Sequence, residues 1–214
     1  MAATGKCRVG AAGAALVIGC LLLVALFAWQ VLAGGVLAQV DLRVTHWLAA
    51  HRLPWLTAAM LLVSEVHRTV GILAMAAGVA GWLLWRKHRA DALFLLVVPT
   101  GMLLNVGLKN LFQRARPVLE APLVHLTTFS FPSGHAAAST VFYGALGVLV
   151  LAHVRQPLAR AAGVAVAALM VLVVCFSRVY LGAHYLTDVV AGMAVGTAWL
   201  VTLRWCMQQR KEIQ

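Results

Sequence analysis

Acidic residues are almost missing from this chain: six Asp and Glu stand against seventeen Lys and Arg in 214 residues. Charge of either sign is scarce, at 11% of residues, where a soluble domain carries about a quarter. That deficit excludes an ordinary water-solvated globule and makes lipid the expected solvent. No paired carboxylates suggest magnesium. No Ser/Pro-rich linker, low-complexity tract or fixed-period repeat divides the sequence, so one domain over 1–214 is expected. The four cysteines (Cys7, Cys20, Cys175, Cys206) form no C-x-x-C pair and show no metal-ligand spacing. They read as unpaired thiols in or beside membrane helices and define no redox compartment.

Long apolar runs, by contrast, are plentiful. Uncharged stretches fall at 9–40, 69–85, 92–108, 136–152, 161–177 and 189–203, and a membrane helix needs about 17–25 apolar residues. Backbone amides in hydrocarbon must bond internally, so helices are the expected form. The spacing predicts an all-α integral membrane bundle of six helices, with spans near 11–33, 69–86, 91–110, 135–153, 160–177 and 186–205. Gly78, Gly144, Gly147, Gly192 and Gly196 lie within them, where small residues let helices approach closely. The first run exceeds the roughly 7–15 residues of a signal-peptide core, which favours a retained helix. Residues 36–64 are too short or too polar to span. In them Val40, Val44, Trp47 and Leu48 share one helical side, with Asp41, Arg43 and His46 elsewhere, the pattern of an interfacial helix followed by a partly inserted one.

The net charge of +11 does not indicate a nucleic-acid partner, because the cations sit in short clusters between apolar runs. With six spans, ten of the seventeen Lys and Arg fall on the side of the termini and seven on the other. The positive-inside rule then puts both termini in the cytoplasm. It also brings residues 109–135, between spans three and four, to the same face as residues 177–188, between spans five and six.

Three clusters meet on that face. Lys109 ends span three and Arg116-Pro117 follows; Pro117 biases Arg116 towards an extended backbone, so the chain is expected to leave the helix there. Taken alone, such cations only snorkel to headgroups. In FPSGH, Pro132 and Ser133 suit a helix start, Gly134 opens the backbone to a ligand, and His135 stands on the first turn, beside amides suited to phosphate. A plain Ser cap with an incidental histidine fits that stretch equally well. His184 and Asp188 are four apart, so the carboxylate can orient one ring nitrogen and leave the other nucleophilic. Arg178 adds a cation; a structural His–Asp pair is the bland alternative, although ionisable groups so near hydrocarbon are costly and usually functional. A phosphoryl group in transfer spreads negative charge over three equatorial oxygens, and three cations with two imidazoles suit it.

Lys109-x6-Arg116-Pro117, Pro132-Ser133-Gly134-His135 and Ser177-Arg178-x5-His184-x3-Asp188 together resemble the three-part signature of the type 2 phosphatidic acid phosphatase superfamily. The resemblance implies an integral-membrane lipid phosphatase working through a phosphohistidine, without metal or other cofactor; the compactness of the chain suggests a bacterial inner membrane, and the Lys and Arg count then turns the active site to the periplasm or cell exterior. His184 would be the nucleophile, Asp188 its orienting carboxylate and His135 the general acid. Lys109, Arg116, Ser133, Gly134 and Arg178 would bind phosphate. Expected partners are the bilayer and a lipid phosphate or diphosphate, undecaprenyl diphosphate ahead of phosphatidylglycerophosphate or phosphatidate. A lipid phosphotransferase, a non-catalytic lipid-phosphate carrier and a Ser133 nucleophile are the competing readings. His46, His51, His67, His88, His125 and His153 read as interfacial or loop residues. Of the groups on the active side, Glu65, His67, Arg68, Glu120 and His125 are minor candidates for headgroup contact.

Overall fold

A computed structural model describes the backbone of residues 4–213 and the side chains of 10–207. All regular structure among the described residues is helical: α1 (Thr4–Leu32), α2 (Val36–Ala50), α3 (Pro54–Val66), α4 (Thr69–Trp85), α5 (Arg89–Val97), α6 (Gly101–Phe112), α7 (Gly134–His153), α8 (Pro157–Tyr180) and α9 (Leu186–Ile213). Five spans are long and apolar enough to cross a bilayer, and α3 with α4, a pair bent by 61°, brings the number to six when counted as one broken span. The six-helix membrane bundle holds, with two differences of detail. The third span is built from α5 and α6 joined by a 3-10 turn at Val98–Thr100, since Pro99 has no amide to continue the ladder. The second begins in α3, so the partly inserted segment and the span after it form one bent element.

α7 is the central element, packed most extensively on α8 and α9, while α1 lies along α9. The fit of α7 on α9 depends on Gly192: a Cβ there would stand 2.5 Å from the Ser133 carbonyl oxygen and 2.9 Å from the Ala136 methyl. Inside, Ile72, Ala76 and Ala80 of α4 meet Ala92 and Leu95 of α5 and Ala138, Val141 and Ala145 of α7. Leu22, Leu158 and Leu169 stand exposed on the outer surface, as side chains solvated by lipid do.

The interfacial helix expected over 36–51 forms as α2, with Val44 and Leu48 packed on the core and a polar strip beside them also turned inward. Asp41 and Thr45 are buried whereas Trp47 is exposed. A polar partner inside the protein, Arg114, draws Asp41 in. A second correction concerns the exit from α6. Its last residue is Phe112, and Gln113 caps it in the left-handed region at φ 48, so the chain turns off before Arg116 rather than at it.

Candidate active site

The C-terminal ends of α6 and α8 and the N-terminal ends of α7 and α9 lie at one end of the bundle, where they enclose a hollow of about 460 Å³. Lys109, Arg116, Gly134, His135, Arg178 and His184 all line it. Residues 75 apart in sequence thus share one small space. Ser133 and Asp188 stand behind these groups, both fully buried.

His184 owes its position to the end of α8. Gly182 turns the chain at φ +70, and the amides of Ala183 and His184 both donate to the Arg178 carbonyl, at 3.0 and 3.2 Å. The ring, 2% exposed, lies with Nδ1 3.4 Å from Asp188 Oδ2 and Nε2 3.2 Å from Arg116 Nη1. Burial is the main cause that holds this imidazole down, to about 3 from the ordinary 6.5; Arg116 and Lys109 push the same way, while Asp188 opposes. Its folded form is therefore the neutral base.

Asp188 accepts from the Ser130 hydroxyl and from the Tyr185 amide at 2.9 Å. Its other oxygen takes Arg114 Nη1. Arg114 in turn reaches Asp41 Oδ2 at 2.8 Å and Thr187 Oγ1 at 2.8 Å, and stacks 4.1 Å over the Tyr185 ring. Two fully buried carboxylates thus share one guanidinium. Buried charges persist only when paired in this way.

The cations on the hollow are held differently. Arg116 donates to the carbonyls of Thr128, at 2.6 Å, and Ala183, also at 2.6 Å, and burial is the chief cause lowering its pKa. Lys109 Nζ donates to the carbonyls of Phe129 and Ser130. Arg178 is 2% exposed; its Nη1 donates to the Ser64 hydroxyl, and its Nε has no partner. His135 Nε2 lies 3.2 Å from the Ser64 carbonyl oxygen. At the start of α7 the Ser133 amide donates to the Asp188 carbonyl at 2.9 Å, and the Ser133 hydroxyl accepts from Ala136 at 3.5 Å. Of the four amides that a helix start leaves open, this leaves those of Gly134 and His135 for a ligand.

Leu73 of α4, Pro99, Met102, Leu103 and Val106 of the third span, Leu126 and Ala138 add an apolar part to the wall, with Thr69, Asn105 and Thr128 among them. His67 also lines the hollow, bonded through Nε2 to the Tyr143 hydroxyl at 2.7 Å. Glu65 and Arg68 pair with each other in an exposed position, and His125 lies outside the lining. Sequence reasoning missed Arg114, Asp41, Ser130 and Ser64. One signal was available: with so few acids in the chain, an aspartate on a short apolar helix needs a cation.

The family model of the PAP2 superfamily matches residues 90–212. Phosphatidylglycerophosphatase B of Bacillus subtilis (strain 168) is 35% identical over 147 residues, 68% of this chain and 72% of that one. Lipid A 1-phosphatase of Rhizobium johnstonii is 35% identical over 152 residues, 62% of this chain and 57% of the relative. The crystal structure of a transmembrane PAP2 type phosphatidylglycerolphosphate phosphatase from Bacillus subtilis superposes with a TM-score of 0.81 at 28% identity, covering 92% of this chain and 98% of that one.

Proposed function

Since the chain belongs to the PAP2 superfamily, we propose that it is a membrane lipid phosphatase that hydrolyses a phosphate monoester or diphosphate on a lipid, taking off one terminal phosphoryl group through a phosphohistidine. Arg178 carries the reading. A guanidinium this buried, with no carboxylate paired to it among the described residues and a place on a hollow shared with Lys109 and Arg116, calls for an anion. Only a group with several acceptor oxygens satisfies three cations together.

In this scheme Lys109, Arg116, Arg178 and the amides of Gly134 and His135 hold the phosphoryl oxygens. Ser133 acts from behind, its cap fixing those amides. Neutral His184 attacks phosphorus through Nε2, the bond from phosphorus to the lipid oxygen breaks, and His135 gives that oxygen its proton. Asp188 steadies the imidazolium on the Nδ1 side. Water then attacks the phosphohistidine, His135 takes the water proton, and inorganic phosphate leaves. No step needs a metal.

The lipid itself is a finer question. Undecaprenyl diphosphate is the substrate favoured on sequence grounds; the relatives' names favour phosphatidylglycerophosphate. The positive-inside count supports a hollow opening at the outer face of a bacterial inner membrane, with cytoplasmic termini. Phosphate release by purified protein in detergent, measured on both lipids and on phosphatidate, ranks the substrates. A His184→Ala variant should bind lipid phosphate without releasing it. Wild-type protein that never releases phosphate would point to a carrier, and an acid-stable phosphoserine would move the nucleophile to Ser133.

A further inference from the structure

At the far end of α7, about 27 Å along the helix from His135, lies a second cluster of imidazoles. α7 ends at His153, next to the corner between α4 and α5. Lys87 turns that corner at φ 65, and His88 then caps α5 with Asp91 in its first turn. His153 Nε2 stands 2.8 Å, and His88 Nδ1 3.7 Å, from the same oxygen, Asp91 Oδ2. One donor atom from each residue lies within 4.8 Å of the other two. Between the two histidines the ring centroids are 5.2 Å apart, edge to face.

The charge environment makes this pairing informative. Arg86, Lys87 and Arg89 flank the corner, and Arg204 of α9 shares with Asp91 a hollow of about 140 Å³. Among the described residues the Asp91 carboxylate nevertheless pairs with the two imidazoles and with none of those cations.

We propose that His88, Asp91 and His153 form a binding site for a first-row divalent transition metal ion, zinc foremost, which clamps the α4–α5 corner to the end of α7. Two imidazoles and one carboxylate suit such an ion, whereas magnesium and calcium prefer oxygen throughout. Ligand atoms about 2.0–2.2 Å from a tetrahedral zinc stand roughly 3.3 Å from each other. The observed 2.8 and 3.7 Å bracket that separation, so small side-chain rotations complete the site. Side-chain exposures of 46% for His88, 48% for His153 and 26% for Asp91 leave the fourth position open to water. The site is separate from the phosphate hollow and takes no part in hydrolysis. Neighbouring cations repel a dication and salt screens them, so affinity rises with ionic strength, the opposite of loose attraction to anionic lipid.

The test is a calorimetric titration of zinc chloride into the full chain, in neutral detergent, freed of chelator and of any tag histidines. One equivalent should bind. His153→Gln and Asp91→Asn should each weaken binding tenfold or more. At a hundredfold excess over the wild-type Kd, zinc should raise the Tm of the wild type by roughly 5–10 °C and that of either variant by no more than about half as much. Phosphate release from a lipid substrate, or retained monodisperse elution, reports whether the variants are folded. Absence of saturable binding to the wild type overturns the proposal, as does binding that survives in both variants, which would put zinc on other imidazoles such as His135 and His184.

Discussion

Arg114 bonds Asp188 with one amino group while the other holds Asp41 at 2.8 Å, so the carboxylate behind His184 is anchored to α2. Removing the guanidinium by Arg114→Met leaves two fully buried acids without a counter-charge. Stability should fall by about 3–5 kcal/mol, read as a lower Tm in detergent. Arg114→Lys should recover little, since a point charge does not span two carboxylates. Adding Asp41→Asn to Arg114→Met should restore part of the loss. A variant that unfolds with the wild type would remove any role for the network.

Asp188→Asn tests orientation of the nucleophile apart from binding. The amide keeps the shape but no longer selects the tautomer that leaves His184 Nε2 free or steadies the ring once it carries phosphate. By analogy with triads, kcat should fall roughly 10³–10⁴-fold while KM stays near the wild-type value. A rise in KM at unchanged kcat would move Asp188 out of the chemistry and into substrate binding.

The uneven legibility of the site has a physical basis. Lys109, His135 and Arg178 were readable because each sits at the end of an apolar run, where a charge is conspicuous, and Arg116 and His184 because of the adjoining Pro117 and the i, i+4 Asp188; span parity brings all five to one face. Arg114 was not. Its meaning lies in Asp41, 73 residues away, on a helix whose apolar pattern says nothing of its polar strip. Ser64 escaped notice for a similar reason: it belongs to α3, a segment read as lying near the interface, and meets Arg178 across 114 residues. Periodicity reports which face meets lipid or core; it says nothing of a polar contact between two elements that are each ordinary alone.

The same buried imidazole sets a pH dependence of stability. His184 is held at about 3 in the folded chain, from 6.5, so below pH 6.5 unfolding takes up a proton. Its contribution is intact above that point and is lost as pH falls, at about 1.4 kcal/mol per unit. From pH 7.5 to pH 5 the wild type should lose roughly 2 kcal/mol through this group. His184→Gln should flatten that part of the Tm profile, and equal profiles for the two proteins would contradict it.

Chelation separates the two ends of the molecule. Around His184, Lys109, Arg116 and Arg178 oppose entry of a divalent ion, so phosphate release should continue undiminished in excess EDTA. The zinc-dependent rise in Tm assigned to His88, Asp91 and His153 should vanish under the same conditions. A strict divalent-ion requirement for hydrolysis would overturn the metal-free scheme without touching the second site.

Gly182 ties the fold to the chemistry through one backbone angle. At φ +70, a Cβ would also meet Leu119 Cδ1 at 2.4 Å. The contact is with the tip of a flexible side chain and yields cheaply; the left-handed backbone does not yield, and costs a residue with a Cβ about 1–2 kcal/mol. Gly182→Ala should therefore lower stability by about that amount and reduce kcat as well, because the turn delivers His184 to Asp188 and Arg116. Trimming the neighbour in a Gly182→Ala/Leu119→Ala double variant should not rescue either quantity, whereas Gly182→Asn, better tolerated in that conformation, should do less harm than alanine. Full rescue by Leu119→Ala would mean that crowding, not backbone conformation, selects glycine at this turn.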